Sequence, residues 1–239
     1  MQSVSTTYSS IWNPATAIRQ HKAVIAGTEY TEQNILGNPE TRRTMFAGRG
    51  SPGIGGCPAA QLEIVVFPQD TIPRMAKIEL YTRLAQIDPD TGETTTASEW
   101  LPKGVFYIDT REEDRVSGTL VIHAYDAMLK GEATYWVEGN TGEWPRSCTT
   151  VVDDICALMG VELDPRTVLN HTIMVPFPND WTMREILGYI AAAHCGNFVI
   201  NEMGLLQLLG FGQEPQTGGV LVDQSGNAIT FGGVRILVG

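Results

Sequence analysis

The chain has 239 residues, 43% hydrophobic and 18% charged, with a formal net charge of −11. That length can bury a full core in one large domain or two small ones, and the composition excludes wholesale disorder. The acidic balance argues against a sequence-independent nucleic-acid binder, which needs a basic face.

In chain order, the opening MQSVSTTYSSIWNP lacks a basic region followed by an apolar run, so no secretory signal is expected, and no later run approaches a membrane span. KAVIAGTEYT at 22–31 and TRRTMF at 41–46 are weaker strand candidates. Stronger ones follow. In QLEIVVF, Leu62, Ile64 and Val66 alternate with Gln61, Glu63 and Val65, and in KIELYTRL, Ile78, Leu80, Thr82 and Leu84 do the same. A period of two puts one face of each run on a core. DPDTGETTTASE at 88–99 reads as an exposed hairpin tip. VFYIDT and TLVIHAYD, within 101–128, form two more strands around a charged turn.

From about residue 144 the period changes. TTVVDDICALMG carries Val151, Ile155, Leu158 and Met159 at helical spacing, with Thr149 or Thr150 as the expected cap and Gly160 as the stop. In TMREILGYIAAAHCG, Thr182 and Glu185 form a capping box, and Met183, Ile186, Leu187, Ile190, Ala191 and His194 fall on one stripe. NFVI and LLQLLGF around the NEMG turn predict a hairpin, and VLVDQSGNAITF and VRILVG predict two further strands.

The candidate chemistry is weak. GRGSPG at 48–53 matches a phosphate-loop spelling, but a strand follows where a helix N-terminus is needed. DTG at 90–92 occurs once, whereas aspartic-protease chemistry needs two carboxylates sharing a proton. Cys148 and Cys156 lack the close pairing of structural zinc ligands, and His194 and Cys195 read as a core histidine beside buried thiols. The four cysteines, scattered along the chain, read as reduced thiols. Asp109, Arg111, Glu112, Glu113, Asp114, Arg115, His123 and Asp126 crowd one stretch, but nothing in the pattern forces an acid and a base together. No catalytic residue, metal site or cofactor is expected.

LPKGVFYIDTREEDRVSGTLVIHAYDAMLKGE resembles the N-terminal barrel of phage and prophage tail hub proteins. Those include the baseplate hub, the late-control D family and the N-terminal region of tail-associated proteins. Gly104 to Ile108, Leu120 to Asp126 and Met128 to Lys130 carry the likeness, with Ile54 to Ala60 resembling the loop before the family's central strand. WPRSCTTVVDDICALMGVELD resembles the helical insert between the hub's two barrels.

The resemblance implies an α+β, mostly β fold: an N-terminal β-barrel domain over 1–140, a helix–helix–hairpin insert over 141–214, and the start of a second β-barrel over 215–239. It implies a structural, non-enzymatic part of a tail tip or baseplate hub, assembled in the bacterial host cytoplasm and located in the virion tail. Its partners are then itself, as a trimer in the full-length hub, the tail tube or distal tail protein, and a tail spike or tip protein, with no sequence-specific nucleic acid. Few residues remain for a second barrel, so the sequence is expected to be a fragment or the second barrel reduced. The alternatives are a tail-associated hydrolase or peptidase fragment, or a receptor- or carbohydrate-binding module using Trp100, Tyr135, Trp136 and Trp144. On TLVIHAYD, Val121, His123 and Tyr125 share the face opposite Leu120, Ile122 and Ala124, and are the expected interface residues.

Overall fold

The computed structural model describes residues 4–12, 17–46, 53–135 and 143–211, and the backbone of four two-residue strands beyond them. A short helix α1 (Thr6–Ile11), capped by Ser5, precedes the first strands. β1 (Ala17–Ile25) and β2 (Thr28–Tyr30) form a hairpin whose two turn residues, Ala26 and Gly27, both have positive φ. Such a turn twists with the strands it joins. The weaker candidate at 22–31 is therefore two strands. β3 (Ile35–Arg42) ends where TRRTMF was expected to be extended, and residues 43–46 leave the sheet.

β4 (Gln61–Val66), β5 (Lys77–Ile87), β6 (Thr94–Ala97), β7 (Leu101–Asp114) and β8 (Thr119–Asp126) complete an antiparallel sheet. The order is β2-β1-β5-β7-β8-β4-β3, with β6 extending the pairing along β5. Of the expected tip at 88–99, residues 88–93 form the turn, where the Asp88 carboxylate accepts from the N–H groups of Asp90 and Thr91 and Gly92 takes φ +73, while Thr94–Ala97 is strand β6. Ile25, Leu62, Ile64, Ile78, Leu80, Phe106, Ile108 and Ile122 meet in one buried core on the inner face.

The expected closed barrel is not formed. The sheet is open: β1 and β3 come within 8 Å between Cα atoms, yet no backbone ladder joins them among the described residues. β3 is itself irregular: its register with β4 shifts between Leu36 and Glu40, the stretch in which Gly37 takes positive φ and Pro39 lacks an N–H.

A second core gathers around two helices. α2 (Cys148–Met159) is capped by Ser147, two positions before Thr149 and three before Thr150, the expected caps, and stopped by left-handed Gly160. α3 (Met183–Ala193) has the full Thr182/Glu185 capping box. Met183, Ile186, Leu187, Ile190 and Ala191 are buried as expected, but His194 is the C-cap and partly exposed. β11 (Gly196–Ile200) and β12 (Leu206–Gly210) form the predicted hairpin, and β9 (Arg146–Ser147) pairs with β10 (Met174–Val175). Cys57, Ala127, Met128 and Tyr135, from before residue 141, are part of this same core.

By contacts the chain divides at Leu209/Gly210. The second unit, Gly210–Gly239, holds β13 (Gly219–Val220) paired with β16 (Leu237–Val238), and β14 (Thr230–Phe231) paired with β15 (Val234–Arg235).

Candidate assembly interface

β8 is held between β4 and β7, so its inner residues Leu120, Ile122 and Ala124 fill the core. Its outer residues Val121, His123 and Tyr125 are half-buried and belong to neither core. The register aligns them with residues from neighbouring strands. Leu36, Val65 and Val121 form an apolar row across β3, β4 and β8, with Leu36 52% exposed. Glu40, Glu63 and His123 form the next row, with His123 Nδ1 3.6 Å from Glu63. Arg42, Gln61, Tyr125 and Tyr107 form the third. This outer patch offers shape, apolar area and mixed charge, and its imidazole–carboxylate approach, His123 to Glu63, is partly exposed to solvent.

The outer face of β7 is covered by the helical core. Gly204 of the β11–β12 turn sits against Val105, where an added Cβ would lie 3.0 Å from the valine methyl. Tyr107 packs on that core, with Lys130 Nζ 3.9 Å from its ring centroid. Val121, His123 and Tyr125 carry no such cover in either core cluster.

The other candidate residues have structural tasks. Asp126 is buried, and its carboxylate accepts from the N–H of Ala60 at 2.8 Å and of Met128 at 2.9 Å. It therefore pins the start of β4 and caps the 3-10 turn Ala127–Glu132. Burial raises its pKa to about 6, against the pull of those two N–H groups. Asp114 holds the 115–118 turn by accepting from Val116 and Ser117, and these bonds hold its carboxyl below the usual range. Arg111 donates to the Ile72 carbonyl. Asp109, Glu112, Glu113 and Arg115 are exposed.

Burial pushes the Cys57 thiol up to about 12 and Cys156 to about 11, so neither is a poised thiolate. Cys148 is buried and donates to the Asn170 carbonyl. Cys195, expected to be buried, is exposed in the left-handed position after α3. Both ring nitrogens of His194 are engaged, with the Ile190 carbonyl and the Asn170 N–H. Of the aromatic candidates, Tyr135 is buried and bonded to Asp154, and Trp144 packs on the helical core. Trp100 is half-buried under Arg83 and Lys22. Trp136 and most of GRGSPG lie outside the described residues.

Comparison with known proteins gives one informative result. No family model matches the chain, and no curated protein matches it significantly. A solved structure, the prophage MuSo2 43 kDa tail protein from Shewanella oneidensis, aligns over 89% of this chain and 61% of its own, at TM-score 0.54 and 14% identity. The tail protein from Neisseria meningitidis MC58 aligns over 88% and 53%, at TM-score 0.48 and 11% identity. The chain shares the fold of a prophage tail protein. It spans about three-fifths of that protein's length.

What sequence reasoning missed is how sheet and helices are joined. Gly55 and Gly188 of α3 touch backbone to backbone: a Cβ on Gly188 would lie 2.8 Å from the Gly55 carbonyl oxygen. Gly55 N–H donates to the Gly196 carbonyl, and Phe198 N–H to that of Gly56. Buried Asn197 accepts from Gly56 N–H and donates to the carbonyls of Met45 and Gly53. The glycine-rich loop is thus a clasp that fixes the outer patch relative to the helices. The glycine density of IGGCPAA was the available signal, but its partner lies far along the chain.

Proposed function

We propose that the chain is a non-enzymatic structural component of a phage or prophage tail, forming part of the tip or baseplate hub that links the tail tube to the tip. The observation that carries this reading is the fold shared with a prophage tail protein over 89% of the chain. The half-exposed outer patch of β8 supports it, because uncovered apolar and aromatic surface fits a neighbouring subunit. The mechanism is geometric. Symmetry-related copies bury this patch, each Å² of apolar area contributing roughly 25 cal/mol before the costs of association.

Light scattering on this chain and on any longer natural chain, with probing of purified tails, tests the proposal. The longer chain should associate, as a trimer if it is a hub, and be present in tails. Tyr125→Asp should abolish association while leaving the circular dichroism spectrum unchanged. A longer chain strictly monomeric at high concentration, and absent from tails, would overturn the reading.

A further inference from the structure

The middle row of the outer patch carries its charges unevenly. Glu40 on β3 lies opposite Glu63 on β4, and Glu63 lies opposite His123 on β8. Like charges set across a strand pair repel, so each carboxylate gains from a cation of its own. Glu40 has one: Arg42, two residues along the same strand, holds its carboxylate at 2.7 Å. Arg42 feels Glu63 too, but more weakly than it feels Glu40. Glu63 is left to the imidazole of His123, whose Nδ1 lies 3.6 Å from its Oε2.

The strands around His123 offer no substitute. On β7, Thr110 opposite His123 is uncharged, and Glu112, opposite Val121 on the same face, adds negative charge. Gln61, Tyr125 and Tyr107 in the next row are neutral side chains at pH 7. Among these residues the permanent cation is Arg42, and it is committed to Glu40.

In the free chain this arrangement costs little. The Glu63 and His123 side chains are 53% and 41% exposed, and a shallow hollow of about 70 Å³ opens between Glu40, Arg42, Gln61, Glu63, His123 and Tyr125, so water solvates either protonation state of the pair. A neighbouring subunit laid over the patch displaces that water. The Glu63 carboxylate is then buried beside a neutral ring, which is costly, whereas a protonated ring gives it a paired charge.

We propose that assembly through the outer patch is proton-linked: each Glu63–His123 pair buried between copies takes up one proton, so association tightens as pH falls. This inference rests on the self-association in the proposed function and names what regulates it. The sign follows from linkage. The associated state holds the extra proton, so affinity rises with proton activity, by up to about tenfold per pH unit for each pair buried. The window is the range in which histidine changes charge, about pH 5 to 8.

Sedimentation velocity at about pH 6 and about pH 8 tests it, on this chain and any longer natural one. The parent should associate at least ~10-fold more tightly at the lower pH. Glu63→Gln removes the carboxylate that needs the proton, so it should associate at the higher pH at least as tightly as the parent, with a flattened profile. His123→Gln keeps the carboxylate but cannot take up the proton, so it should associate weakly at both. Circular dichroism at each pH checks the fold. The readout is the pH slope lost from parent to variant, because Asp126, His21, His171 and His194 are common to all three chains. A slope absent from the parent, or kept in either variant, overturns the proton link and leaves the self-association reading intact. No association by any chain at either pH overturns both.

Discussion

Gly188→Ala sets two opposed effects against each other. Gly188 lies inside α3, where alanine is favoured over glycine by about 1 kcal/mol, so helix propensity alone makes the variant more stable. The added methyl, however, would lie 2.8 Å from the Gly55 carbonyl oxygen. That oxygen has little freedom to retreat. Gly55 N–H is bonded to Gly196 at 2.8 Å, and Gly56 N–H to Asn197 Oδ1 at 2.7 Å. Overpacking of this kind costs roughly 1–3 kcal/mol, which leaves a net loss of up to about 2 kcal/mol. In a chain of this size that lowers Tm by up to about 8 °C, at roughly 2–4 °C per kcal/mol. Differential scanning calorimetry measures the shift. Gly53→Ala is the control, since its Cβ would meet nothing within 4 Å and it should stay within about 0.5 kcal/mol. If Gly188→Ala melts at or above the parent, the close approach of loop and helix is not what holds the two cores together.

Ile190→Asp places an unpaired charge at a 2% exposed position and should cost several kcal/mol in urea denaturation. Arg184→Ala should cost less, about 1 kcal/mol, but not nothing, because Arg184 is paired with Glu132 and bonded to the Met128 carbonyl; equal losses would contradict this ranking. Asp126 gives a pH signature. Its folded pKa, raised to about 6, exceeds the ~3.9 of an unfolded Asp, so the native state binds the proton more tightly. Its contribution to stability should rise as pH falls from about 6 to 4 and be flat above 7. The difference between parent and Asp126→Asn should carry that slope, and a difference flat across the window would refute the burial argument.

Features encoded within a few residues were legible without a structure. The Thr182/Glu185 box, the stop at Gly160, the turn at 88–93 and the inner and outer faces of β8 each depend on contacts at short spacing or on the pleat itself. Val121, His123 and Tyr125 lie on the outer face for that reason. Whether that face is covered was not legible, because its cover would come from a distant segment, as Val105 and Tyr107 obtain theirs from the helical core. The shift of the α2 cap to Ser147 shows how neighbouring hydroxyls compete for the same N–H groups.

The sequence by itself determined β4, β5, β7, β8, α2, α3 and the β11–β12 hairpin, since periodicity and capping act locally, whereas α1 and the true span of β3 carried too weak a local pattern. Tertiary structure alone decided that β4 pairs with β8, that Gly55 meets Gly188, and that β3 stops short of closing on β1. Those outcomes depend on how loops of many residues are closed and on which backbone edges remain after the core is filled. Local pattern carries no record of either.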